Sequence, residues 1–175
     1  WIHLSSGRAY QRHGSPHPTA GGRVGASAAA SLSHVLVGEP SGAGNPGGGA
    51  VHIYEVAADL DRRELRHVRS IAIPRPGAQH ARFGASMALL PDASRVAIAA
   101  SGADTYSCPP LCDAGAAFIF EVSTGRLIGK LLPLNLATGG GALGCVGFGT
   151  SIATSSVTLG VGDDGSSPAT IPTGG

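Results

Sequence analysis

Phe83-Gly84-Ala85-Ser86-Met87-Ala88 is the phrase on which the fold of this chain turns, because the sequence states it three times. Val24-Gly25-Ala26-Ser27-Ala28-Ala29 stands 59 residues before it, and Phe148-Gly149-Thr150-Ser151-Ile152-Ala153 stands 65 residues after it. Recurrence at this spacing is the mark of a repeat architecture, and a unit of about 60 residues accommodates one four-stranded blade of a propeller.

The residues C-terminal to each phrase recur as well. A short turn leads to a second apolar run, Val35-Leu36-Val37-Gly38, Val96-Ala97-Ile98-Ala99 and Thr158-Leu159-Gly160-Val161, which suits an inner strand buried on both faces. In the first two units a Gly-rich or Pro-rich loop precedes a third strand. Gly49-Ala50-Val51-His52-Ile53-Tyr54-Glu55-Val56 matches Gly115-Ala116-Ala117-Phe118-Ile119-Phe120-Glu121-Val122, with β-branched and aromatic residues where a pleated surface favours them. Residues 66–73 and 127–132 supply a fourth strand, each followed by a proline that ends it.

This pattern predicts an all-β chain: part of a β-propeller of four-stranded antiparallel blades, two whole and two partial. Ser5-Ser6-Gly7-Arg8 repeats the hairpin turn Ser123-Thr124-Gly125-Arg126, so residues 1–20 are expected to close a preceding blade. Residues 21–80 and 81–136 are the whole blades, residues 137–163 begin another, and the Ser/Pro/Thr/Gly-rich residues 164–175 are expected to be disordered. Trp1 is neither an initiator methionine nor the start of a secretion signal, so the first residue is not expected to be the start of the polypeptide.

Composition agrees. Only 13% of the 175 residues are charged, about half the usual share, while 28 glycines and 12 prolines call for many turns and few surface helices. Aromatic residues are only 5%, so each blade buries modest side chains in a thin core. A formal net charge of +1 provides no footprint for nucleic acid. Arg62, Arg63, Arg66 and Arg69 interleave with Asp59, Asp61 and Glu64, a solvated mixed-charge connection rather than a polyanion site. No charge falls between Lys130 and Asp163, yet the stretch, broken by Pro133, Asn135 and frequent glycines, lacks the sustained apolar content of a membrane span.

The phrase Phe-Gly-x-Ser-x-Ala, an inner strand ending in Gly38-Glu39-Pro40, and then Gly-Ala-Val-x-Ile-Tyr together resemble the FG-GAP repeat of integrin α-chain propellers over residues 22–163. Val24 replaces the Phe in the first unit, and the third unit carries only half of the pattern. The resemblance implies a seven-bladed ring used in adhesion and ligand binding, at the cell surface or outside the cell. It equally implies the accessory propeller of a secreted enzyme whose catalytic domain lies outside this chain. Leu90-Pro91-Asp92-Ala93-Ser94-Arg95-Val96 also echoes WD40-like and YVTN-like repeats, whose period of about 40–45 residues is shorter. The expected role is a noncatalytic binding or adhesion module, without cofactor, whose partner is a protein or glycan and whose neighbours are the remaining blades.

Some repeats of that family hold calcium on an Asp-x-Asp-x-Asp-Gly loop, where several carboxylates supply the oxygen ligands. Here the loop reads Ala29-Ala30-Ser31-Leu32-Ser33-His34 in one unit and Leu90-Pro91-Asp92-Ala93-Ser94 in the next, and one carboxylate makes no such site. Gly-x-Ser-x-Ala around Ser27, Ser86 and Ser151 approaches the nucleophile elbow of serine hydrolases, but an enzyme needs one nucleophile and a structural device is needed once per blade. These serines are expected to satisfy backbone groups at a turn. Gly42–Gly49 lacks the Gly-Lys-Ser/Thr of a phosphate loop, and His13 and His17 lie in a Pro-containing segment with no helix to align them. Cys108 and Cys112 are spaced to close a small disulfide ring, and the extracellular habit of the family favours that over a metal site, leaving Cys145 over.

Overall fold

The computed structural model describes residue 16 and residues 22–41, 48–56, 65–73, 80–103, 114–133 and 147–163. Among them there is no helix. Ten strands form three antiparallel sheets. The first contains β1 (Ala28–Ala30), β2 (His34–Glu39), β3 (Ala50–Val56) and β4 (Leu65–Ala72) in chain order. The second repeats that order with β5 (Phe83–Leu89), β6 (Arg95–Ala100), β7 (Ala116–Glu121) and β8 (Leu127–Leu131). The third pairs β9 (Ser151–Thr154) with β10 (Leu159–Gly162).

Equivalence between the first two sheets extends to register. Val35 pairs with Tyr54 as Val96 pairs with Phe120, and the β3–β4 ladder slips between Ile53 and Tyr54 as the β7–β8 ladder slips between Ile119 and Phe120. Such a slip adds local twist to an edge strand.

Each repeated phrase opens with the same tight turn. The amides of Ala26, Ala85 and Thr150 donate to the carbonyls three residues back, on Arg23, Arg82 and Gly147. Gly25, Gly84 and Gly149 sit third in these turns with φ of 88°, 89° and 99°, where a Cβ is strained. That is why the glycine recurs.

The turns also join the sheets. Gly49 forms a parallel bridge with Phe83, Gly115 forms one with Phe148, and the amides of Phe83 and Phe148 donate to the carbonyls of Gly48 and Ala114. A Cβ on Gly49 or Gly115 lands 2.2 or 2.1 Å from the carbonyl oxygen of Phe83 or Phe148, so only glycine allows the approach. The joint therefore advances by one unit and repeats.

Between the first two sheets lies the core. Leu36, Val51, Ile53 and Ile71 on the first sheet meet Met87, Val96, Ile98, Phe118 and Phe120 on the second, and the Phe83 ring packs edge-on against both Phe118 and Phe120. The second sheet turns buried Ala97, Ala99 and Ala117 the other way, and their small size admits the third sheet: a Cβ on Gly149 would lie 2.9 Å from that of Ala99. The apolar run of the first two units is largely buried, as an inner strand requires, whereas β10 is half-buried to exposed because β9 is its one neighbour among the described residues.

Candidate functional site

The three repeated turns converge on one cavity of about 460 Å³. Its wall repeats as the fold does. Arg23 and Arg82 are the first residues of their turns, Ala26, Ala85 and Thr150 are the last, and Pro40 and Ser101 stand just past β2 and β6. Ser27 fixes the spacing of two of these turns, its Oγ donating to the Gly84 carbonyl at 2.7 Å. The expectation that the three serines serve backbone groups holds for Ser27, though the group belongs to the next unit's turn and not to its own, whereas Ser86 and Ser151 make no side-chain hydrogen bond to a described residue. Ser27 and Ser151 also fill the space that a Cβ would take at Gly38 and Gly162, each 2.4 Å from that point.

The cavity is electrostatically uneven. Arg23 and Arg82 are exposed, and among the described residues neither forms an ion pair. Arg82 holds a φ of 54°, a left-handed conformation that costs a non-glycine residue free energy. Ser101 is only 7% exposed, and among the described residues no hydrogen bond reaches its hydroxyl. Buried hydroxyls are nearly always partnered, so this one stands out in the cavity wall.

A second group of polar residues lies on the face of the first sheet turned away from the second. Glu39 and His52 are fully buried, with His52 Nε2 2.7 Å from Glu39 Oε2 and His52 Nδ1 2.8 Å from the Ser70 hydroxyl. His67 Nε2 reaches the same hydroxyl at 3.0 Å. An ionised Glu39 only accepts, so Nε2 of His52 carries a proton toward it, while the Ser70 hydroxyl bridges Nδ1 of His52 and Nε2 of His67. In the second sheet the corresponding positions hold Ala100, Phe118 and Lys130. Of the two four-stranded sheets, only the first carries the polar chain. It satisfies a buried carboxylate. Beside it, burial and then the Glu39 charge push the Tyr54 phenol up, which keeps it a neutral donor at physiological pH.

No protein-family model matches the chain. No curated protein matches it either.

Other predicted features fall where the strands put them. The loop between β1 and β2 is closed by Ser31, whose Oγ accepts from the amides of Ser33 and His34, and the loop between β5 and β6 by Asp92, which accepts from the Ser94 amide and pairs with Arg95. Among the described residues no three His, Cys, Asp or Glu side chains come together as a metal site. Arg66 pairs with Glu55 across β3 and β4, and Arg69 donates to the Thr124 carbonyl at the β7–β8 hairpin. Cys108, Cys112, Cys145, His13, His17, Arg62 and Arg63 lie outside the described residues. No helix among the described residues is long and apolar enough to cross a membrane.

Sequence reasoning passed over both groups, although each left a signal. Arg23 and Arg82 precede the repeated phrase at one offset. Glu39 closes the apolar run of residues 35–38, and His52 interrupts the apolar run of residues 50–53.

Proposed function

We propose that this chain is a segment of an FG-GAP-type β-propeller, exposed outside the cell, that works as a noncatalytic binding or adhesion module. The observation that carries the reading is the recurring joint: Gly49 with Phe83 and Gly115 with Phe148 set each sheet against the next by the same parallel bridge. A device that repeats with constant geometry stacks sheets around an axis, and a ring of such blades presents its turns at a rim suited to ligand contact. The converging turns and their cavity support the second half of the reading.

Adhesion of cells to the immobilised chain tests it. Attachment is expected to fall when turn residues of the cavity wall are changed and to persist when the β1–β2 and β5–β6 loops are changed. Equal attachment to all variants and to an unrelated protein refutes the module. Electron microscopy of the polypeptide in its full reading frame tests the ring, and a contiguous hydrolase domain there supports instead an accessory propeller of a secreted enzyme.

A further inference from the structure

We infer that the cavity at the three repeated turns is a carboxylate-binding site, and that its ligand is an acidic side chain of a peptide segment; this rests on the binding-module reading and names its ligand class. Two independent observations meet there. Arg23 and Arg82 line one cavity of about 460 Å³ without an ion-pair partner among the described residues. Ser101, at 7% exposure, contributes a hydroxyl to the same wall with no hydrogen bond to any described residue.

The chemistry is set by those groups. Two guanidinium groups present planar forks of N–H donors that match the two oxygens of a carboxylate, and charge-assisted bonds of this kind are about twice as strong as neutral ones. A serine hydroxyl can add a third donor from the floor. Thr150 and Ser41 supply further hydroxyls at the wall, while Ala26 and Ala85 leave room.

The described lining combines guanidinium groups and hydroxyls with small aliphatic side chains, which suits a carboxylate carried on a slender peptide segment. The left-handed backbone at Arg82 fits the same account, because strain of this kind is retained where a side chain must be aimed.

Fluorescence anisotropy of a labelled peptide of alternating glutamate and glycine, at low and at physiological salt, provides the test. Arg82→Asn is the suitable change because asparagine tolerates the left-handed conformation, and it is combined with Arg23→Asn. Binding is expected to weaken at least about tenfold in the double variant, with an unchanged melting temperature, and to weaken with salt.

The glutamine counterpart of the peptide is expected not to bind, and Arg126→Asn, outside the cavity, is expected to leave binding unchanged. Undiminished affinity in the double variant, equal binding of the glutamine peptide, an equal loss in Arg126→Asn, or binding of a sulfated glycan without binding of the peptide overturns the proposal. Cell adhesion that survives the Arg23 and Arg82 changes but falls with other rim changes overturns the carboxylate site and leaves the module standing.

Discussion

Gly84 and Gly25 hold the same conformation for the same local reason, yet they are not equally demanding. A Cβ on Gly84 meets the Ala50 carbonyl oxygen at 2.7 Å, whereas one on Gly25 meets nothing within 4 Å. Gly25→Ala therefore carries only the conformational cost, about 1–2 kcal/mol, and Gly84→Ala adds a backbone clash across the joint. Chemical denaturation is expected to show the larger loss at Gly84. Glu39 and His52 call for a different experiment. Replacing His52 by Phe, the residue of the equivalent position in the second sheet, removes the imidazole from a buried carboxylate and is expected to cost about 3–5 kcal/mol. Adding Glu39→Ala, again after the second sheet, is expected to recover most of that loss, because an apolar pair of suitable shape replaces a desolvated charge. Additive costs in the double variant mean that the two residues are not coupled.

At the scale of elements, two hairpins carry their own acid sensitivity. The Ser94 side-chain and backbone hydrogen bonds, assisted by the Arg95 guanidinium, hold the Asp92 carboxyl below the usual range in the β5–β6 loop. Arg66 does the same to Glu55, first by hydrogen bond and then by charge, across β3 and β4. A depressed carboxyl pKa means stability that is complete above the unfolded value and is lost as pH falls through the folded one. Both contributions are thus intact at neutral pH and disappear on acidification through and below the carboxylate range. Asp92→Asn and Glu55→Gln are expected to flatten the acid limb of melting temperature against pH, by a small amount since both pairs face solvent. An unaltered acid limb in both variants counts against these pairings. The joint is the other element-scale device, and its aromatic residue is not equally covered in the two places: Phe83 is fully buried against two other rings, whereas Phe148 is half-buried.

For the molecule as a whole, stability is unevenly spread. The core between the first two sheets gathers most of the large buried apolar side chains, while the two-stranded third sheet leans on alanines and a two-stranded ribbon is marginal by itself. Hydrogen exchange is expected to be slow at Val51 and Ile98 and fast at Ile152 and Ala153; uniform protection contradicts that gradient. The two four-stranded sheets end in β1, β4, β5 and β8, which join no further ladder among the described residues, although Phe83 at the start of β5 is bridged to Gly49. The chain in isolation is expected to associate as its concentration rises, and a sharp, reversible, monomeric unfolding transition by light scattering and calorimetry contradicts this.

Strand identity and order in this protein were legible in the sequence alone, because period, glycine placement and β-branched runs are local properties repeated three times, and the two complete units corroborate each other. The reason for the glycines was legible only in part. Positive φ at Gly25, Gly84 and Gly149 is a local demand, but the bridge from Gly49 to Phe83 depends on how two sheets meet. The polar chain of Glu39, His52 and Ser70 and the cavity of Arg23, Arg82 and Ser101 gather residues from separate strands and turns. Side chains that distant along the chain become neighbours only through antiparallel register and sheet stacking, so tertiary structure alone decided which of the many polar residues share a site.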